Sequence, residues 1–261
     1  MKEGDKLRLS LIQYDIAWEN KRKNLEYIHQ TLEKLSGTSD LVVLPEMCTT
    51  GFSMNSYNLA EKNEENTIST LKEWAKKFEI SICGSFIAKD KGNYYNRGFF
   101  ITPDKEDYYD KRHLFRMGME PQYFSAGSNR LVVKHKDFNI CLLICYDLRF
   151  PVWARNIDNE YDLLIYVANW PASRSKVWNA LLTARAIENM SYVCGVNRIG
   201  TDGYNIVYTG ESQVIDAKGD MISNIEIDKE QICTISLSKN ELDTFRNKFP
   251  VWKDADKFKI E

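Results

Sequence analysis

Residues 41–46 read Leu41-Val42-Val43-Leu44-Pro45-Glu46. This unbroken apolar run is too short for a helix and contains β-branched residues, so it predicts a strand buried on both faces. Towards the N-terminus, Leu25, Ile28, Leu32 and Leu35 recur at helical spacing, and residues 7–14 form another strand-like run. The pattern is a βαβ opening, whose crossover helix lets the two strands run parallel. Towards the C-terminus, Ile68, Leu71, Trp74, Ala75 and Phe78 mark a second helix, followed by strands near 80–87 and 95–102. Residues 140–144 and 163–167 repeat the doubly buried pattern, and Val177, Ala180, Leu181, Ala184 and Ile187 line one face of a helix. Strands near 192–199, 211–217 and 231–237 and a helix near 239–248 close the chain. Helices set between strands predict helix layered over sheet, with antiparallel pairing in the strand-rich last third, so an α/β sandwich is expected rather than a barrel.

The 261 residues suffice for one α/β domain with a large core, and no linker or repeat divides them, so a single domain over 1–261 is expected. Lys and Arg total 35 against 37 Asp and Glu, which leaves no basic field to hold a phosphate backbone. Nucleic acid is therefore excluded as a partner. No stretch approaches the roughly 20 apolar residues of a membrane helix, and the opening Met1-Lys2-Glu3-Gly4-Asp5-Lys6 lacks the apolar run of a secretory signal. The expectation is a cytoplasmic protein that does not engage a membrane. Six cysteines (Cys48, Cys83, Cys141, Cys145, Cys194 and Cys233) are scattered without a CxxC pair or a nearby histidine, which argues against zinc and for reduced thiols.

Ligands of open α/β sheets bind beyond the carboxyl ends of strands, so polar residues directly after buried runs draw notice. Glu46 follows the first such run and Cys145 follows Ile140-Cys141-Leu142-Leu143-Ile144. If both strands share one sheet and one direction, a carboxylate and a thiol meet at one rim. Position alone more often puts such a carboxylate on a helix cap or an arginine, and most buried cysteines are small hydrophobes. Cys145 stands above Cys141 because Tyr146-Asp147-Leu148-Arg149-Phe150-Pro151 turns away from the strand, and backbone N–H groups there could receive an oxyanion. Lys111 lies in Tyr108-Tyr109-Asp110-Lys111-Arg112-His113-Leu114-Phe115-Arg116-Met117, which by charge alone reads as a solvated basic loop. Beside the thiol, a lysine would lower the cysteine pKa and stabilise a tetrahedral intermediate. His113 offers a competing Cys-His design. His29 on a helix surface and His135 between two lysines read as solvated.

Leu44-Pro45-Glu46, Tyr109-Asp110-Lys111-Arg112-His113-Leu114 and Ile144-Cys145-Tyr146-Asp147-Leu148-Arg149-Phe150 resemble, in order, the three catalytic signatures of the nitrilase superfamily of carbon–nitrogen hydrolases. The likeness continues through Ala168-Asn169-Trp170-Pro171, residues 183–189 and residues 249–256, nearly the whole chain. The resemblance implies a four-layer α-β-β-α sandwich, a Cys-Glu-Lys triad, no metal or organic cofactor, and a homodimer. It gives Cys145 the role of nucleophile, Glu46 that of general base, and Lys111 that of oxyanion holder together with the Tyr146 backbone N–H. Its second glutamate falls on Glu120, which by position alone is a loop carboxylate. Within the superfamily the likeness is to omega-amidases, which implies a small-molecule substrate, the terminal amide of a 2-oxo acid such as 2-oxoglutaramate or 2-oxosuccinamate. The same triad also fits an N-carbamoyl amino-acid hydrolase, an aliphatic amidase or a nitrilase, and the same fold could carry a catalytically silent interaction module. An acid group remote from the amide calls for an arginine; Arg174 is the candidate, with Phe52 and Trp170 as apolar walls, although a surface arginine and core aromatics fit those positions too.

Overall fold

The structure, a computed structural model, describes residues 5–256 and 258–259. In chain order the first half runs β1 (Lys6–Gln13), α1 (Lys21–Leu35), β2 (Leu41–Val43), α2 (Ser56–Leu59), α3 (Asn66–Phe78), β3 (Ser81–Asp90), β4 (Asn93–Ile101), β5 (Glu106–Asp110), α4 (Glu120–Tyr123) and β6 (Leu131–His135). The second half runs β7 (Phe138–Ile144), α5 (Pro151–Ala154), β8 (Leu163–Ala168), α6 (Ser175–Asn189), β9 (Tyr192–Asn197), β10 (Ile199–Thr201), β11 (Val207–Thr209), β12 (Gln213–Ile215), β13 (Gln231–Ser238) and α7 (Lys239–Lys248).

The strands form a six-stranded sheet in the order β13-β1-β2-β3-β4-β5, a five-stranded sheet in the order β12-β9-β8-β7-β6, and a separate β10-β11 ribbon. Parallel pairing joins β1 to β2, β2 to β3, β7 to β8 and β8 to β9, whereas β13 and β12 close their sheets antiparallel. The two-residue alternation of a strand divides the core into layers. Leu41, Val43, Cys83 and Phe100 of the first sheet join a cluster with Ile140, Leu142 and Ile144 of the second. Their neighbours Val42, Leu44, Ile82, Phe99 and Ile101 point the other way, onto Ile28 and Leu32 of α1 and Ile68, Leu71 and Ala75 of α3. Beyond the second sheet, α6 contributes Trp178, Leu182 and Ala186 to the core. Helix, sheet, sheet and helix thus form the four layers. At Gly98 on β4 an added Cβ would sit 3.0 Å from Leu142 Cδ2 on β7, so the facing sheets meet without room for a side chain there.

Local signals account for the helices. Asn20 caps α1 by accepting the Lys23 N–H at 3.0 Å, and α3 ends where Glu79 turns into the left-handed region at φ 54°. Two differences from the sequence reading stand out. The strands before Glu46 and Cys145 lie in opposite sheets, not in one. The stretch that by charge reads as a basic loop starts within the edge strand β5, and His135 ends the edge strand β6, each with only one face covered. The strand expected near 192–199 breaks after Asn197, and that near 211–217 shortens to 213–215. Nor are two histidines solvated: half-buried His29 lies edge-on to Trp74 at 5.0 Å, and His135 lies edge-on to Phe100 at 5.7 Å. Burial, then Lys136, pushes the His135 pKa below its ordinary value.

Candidate active site

Where the sheets meet, the segments after β2, β5, β7 and β8 converge on a cavity of about 230 Å3. Its lining includes Phe52, Lys111, Cys145, Tyr146, Trp170 and Arg174, all singled out in the sequence, together with Asn169, Arg149 and residues of the β10–β11 ribbon. Glu46 and Glu120 stand behind Lys111, and all three are fully buried.

A buried charge is tolerable only if paired and hydrogen-bonded, and here each is. The Lys111 ammonium donates to Glu46 Oε1 at 2.9 Å and to both Glu120 oxygens at 3.0 Å. Asn96, in the middle of β4, donates through Nδ2 to Glu46 Oε1 at 2.7 Å and to Glu120 Oε1 at 3.1 Å. Its amide is oriented by the Ser85 hydroxyl, which donates to Asn96 Oδ1 at 3.0 Å while accepting the Met47 N–H at 2.8 Å. The Asn169 N–H donates to Glu46 Oε2 at 2.8 Å, and the Phe115 N–H donates to Glu120 Oε2 at 2.5 Å. The Glu46 carboxylate is therefore fixed by three groups, two from strand ends and one from the middle of β4, with lone-pair capacity left for one more proton. Asn96, Ser85 and Asn169 carried no assigned role in the sequence reading, and the polar stretch Asn93 to Arg97 gives no signal that singles out Asn96.

Cys145 opens a 3-10 turn at Cys145–Arg149 with φ at 44°, a sterically costly conformation for a residue with a Cβ. Asp147, fully buried, holds the turn. Its Oδ2 accepts the Tyr109 hydroxyl at 2.7 Å and the Ile144 N–H at 3.0 Å, and its Oδ1 accepts the His113 N–H at 3.0 Å and faces His113 Nδ1 at 2.8 Å. The turn in the second sheet is thus tied to the segment around Lys111 in the first. Tyr146 is the second residue of the turn, and leading N–H groups of a helical turn have no internal acceptor; its N–H is free to meet an oxyanion. His113 spends its ring on Asp147 and on Phe150, stacked at 3.8 Å, and is absent from the cavity lining. The competing Cys-His design has no geometric basis.

The electrostatics correct one expectation. Burial, and after it Glu46, pushes the Cys145 thiol well above its ordinary pKa, and Lys111 lowers it only in part. Lys111 itself is opposed by burial but held above its ordinary value by Glu120 and Glu46. Burial raises the Glu120 pKa against the pull of Lys111. The lysine is thus spent on two carboxylates, and the resting cysteine is a thiol rather than a thiolate. A thiol facing the cavity, a fixed carboxylate to take its proton and an ammonium with a free N–H to receive a carbonyl oxygen are the parts required for covalent acyl transfer.

Half-buried Arg174 lies over the Phe115 ring at 5.2 Å, its backbone carbonyl accepting the Trp170 Nε1–H at 2.9 Å. Its guanidinium has no carboxylate partner among the described residues. Phe52 carries its ring face 5.3 Å from Lys111 Nζ, so both predicted aromatic walls belong to the cavity.

Fold and cavity together are those of a hydrolase built on the α-β-β-α sandwich. The family model described as carbon-nitrogen hydrolase matches residues 8–247, and the chain belongs to that family. It is 41% identical over 255 residues to the omega-amidase YafV of Escherichia coli, a match covering 97% of this chain and 98% of that one. It is also 33% identical over 258 residues to a 2-oxoglutaramate amidase of Bacillus subtilis, covering 97% and 98% of the two chains. Among solved structures it resembles a CN-hydrolase superfamily protein of Xanthomonas campestris carrying an arsenic adduct in its active site, with TM-score 0.95, 40% identity, and 98% and 99% of the two chains covered.

Proposed function

We propose that the protein is an omega-amidase that hydrolyses the terminal amide of a 2-oxo acid, 2-oxoglutaramate or 2-oxosuccinamate, to the dicarboxylic 2-oxo acid and ammonia. The observation that carries the reading is one cavity joining the Cys145 thiol to Arg174, which has no carboxylate partner among the described residues, in a chain similar along its length to proteins named omega-amidase and 2-oxoglutaramate amidase. The amide end meets the thiol and the acid end meets Arg174, whose planar fork matches a carboxylate.

In the proposed cycle, Glu46 takes the thiol proton as Cys145 sulfur bonds to the amide carbon. The carbonyl oxygen becomes an oxyanion held by the Lys111 ammonium and the Tyr146 N–H. Glu46 returns the proton to the amide nitrogen, the C–N bond breaks, and ammonia leaves a thioester on Cys145. Water then attacks the thioester with Glu46 again as base, and the thiol departs with its proton. Glu120 holds and orients Lys111 throughout and takes no part in the proton transfers.

Ammonia release from a panel of 2-oxoglutaramate, 2-oxosuccinamate, glutamine, an N-carbamoyl amino acid, a simple aliphatic amide and a nitrile tests the reading. The two oxo-acid amides should have the highest kcat/KM. Glutamine should be poor, because its α-ammonium would enter, beside Arg174, a site shaped for the neutral 2-oxo carbonyl. A win for the N-carbamoyl compound or the nitrile would overturn the substrate while sparing the chemistry at Cys145. The protein is further proposed to work as a cytoplasmic homodimer with a single catalytic domain. Val152 on α5 and Ile187 on α6, 54% and 52% exposed, offer apolar side chains that a partner could cover, and a monomer by sedimentation at micromolar concentration would reject the dimer.

A further inference from the structure

Arg149 belongs to none of the groups used above, yet it lines the same cavity as Cys145 and Arg174. It is the last residue of the turn that begins with the cysteine, and it is exposed. Its guanidinium lies over the Trp170 ring, 5.2 Å from the centroid. Among the described residues its side chain has no hydrogen bond or ion pair.

The backbone beneath it is fixed from two directions. Asp147 is tied to Tyr109 and His113, and the Leu148 carbonyl accepts Arg185 Nη2 at 2.6 Å. Trp170 is fixed as well: its N–H donates to Asn197 Oδ1 at 2.8 Å and its indole N–H to the Arg174 carbonyl at 2.9 Å. One indole therefore braces both arginines, offering its face to Arg149 and its N–H to the backbone of Arg174. Asp202, which also lines the cavity, forms no ion pair with either arginine among the described residues; it accepts the Tyr204 and Ile206 N–H groups at 2.8 and 2.9 Å and the Tyr208 hydroxyl at 2.8 Å. The mouth is left with two cations held by aromatic faces alone, an arrangement that attracts an anion without supplying one.

We propose that Arg149 is a second carboxylate-binding residue, which with Arg174 selects substrates bearing an acid group at the end remote from the amide. The inference rests on the omega-amidase reading and deepens it: two guanidiniums braced on one indole define where the acid group sits, and hence the chain length that brings the amide to Cys145.

The test is competitive inhibition by the product-like dicarboxylate 2-oxoglutarate, read beside turnover of 2-oxoglutaramate, in the full-length Arg149→Ala and Arg149→Lys proteins. The alanine variant should raise both the inhibition constant and KM about tenfold, the scale of losing one charge-assisted contact at a solvated site, with kcat changed far less. The lysine variant should recover part of both. Raised salt should weaken inhibition of the wild type more than that of the alanine variant, since an exposed charge is screened. A merely structural arginine would lower kcat and thermal stability together and leave the inhibition constant alone; that result, or an unchanged KM, overturns the proposal. If 2-oxoglutarate fails to inhibit the wild type and neither 2-oxoglutaramate nor 2-oxosuccinamate is turned over, the omega-amidase reading itself fails, whereas good turnover with an indifferent Arg149 removes only this inference.

Discussion

The floor and the mouth of the cavity treat their cations in opposite ways. At the floor, Lys111 is fully buried and bonded to two carboxylates, which are themselves held by Asn96, Asn169 and the Phe115 N–H. At the mouth, Arg149 and Arg174 rest on the rings of Trp170 and Phe115 and have no carboxylate partner among the described residues. The difference follows from solvation. Desolvating a charge is tolerable only with compensation in place, so the floor comes preassembled and its geometry cannot drift. Near water a guanidinium needs no partner to be stable, and contact with a ring face contributes only about 0.5–1 kcal/mol, so the mouth can trade water for a ligand carboxylate. Reaction chemistry and substrate choice are thus carried by regions with different tolerance for change.

Removing the floor's central charge should have the largest effect. Lys111→Met leaves Glu46 and Glu120 facing each other without their cation, and breaking a buried pair in this way costs about 3–5 kcal/mol. Urea unfolding would measure it, and turnover should be lost. A variant as stable as the wild type would mean that the floor is not held by charge balance.

Next in size is Glu46→Gln, which should keep the fold and lower kcat by about two to four powers of ten. The pH dependence sharpens the point. Because the Cys145 pKa is raised, chiefly by burial, the thiol stays protonated near neutral pH. With Glu46 to take the proton, wild-type turnover should not climb with thiol ionisation between about pH 7 and 9. Without it the residual rate must follow the scarce thiolate, rising about tenfold per pH unit. A flat profile in the variant would assign the proton transfer elsewhere. His113→Ala should cost far less than Glu46→Gln, because it loosens the Asp147 tie without removing a base.

At the mouth the effect should be smaller and confined to substrate choice. Arg174→Ala should lower kcat/KM for 2-oxoglutaramate by about 10- to 100-fold, the loss expected for a charge-assisted carboxylate contact. The preference for 2-oxoglutaramate over the simple aliphatic amide should shrink by a similar factor. Equal losses on both substrates would make Arg174 a structural residue and erase the contrast with the floor.

Much of the floor was legible because it is built at the ends of doubly buried strands. The apolar runs before Glu46 and Cys145 are visible in one dimension, and strand ends are where a chain can present a polar side chain to a cavity. Lys111 was harder: its neighbours read as a basic loop, and only the likeness of three ordered motifs drew it in. Asn96 escaped notice, since nothing about an asparagine inside Asn93-Tyr94-Tyr95-Asn96-Arg97 says that it faces two carboxylates. At the mouth, Arg174 was reached from the chemistry of an acid substrate, whereas Arg149 was passed over as part of the turn after the cysteine.

Periodicity and residue order alone determined the alternation of strands and helices and the carboxylate and cysteine that follow buried strands, because burial patterns and turns are local properties of a chain; Lys111 joined them only through the resemblance of three ordered motifs. Tertiary structure decided that the two key strands belong to facing sheets, and that β4 brings Asn96 between Glu46 and Glu120. It also decided the protonation of the nucleophile. By sequence Lys111 was expected to ionise Cys145, yet Glu46, 65 residues away along the chain, and Glu120 claim its charge, and a pKa answers to burial and to every neighbouring charge at once.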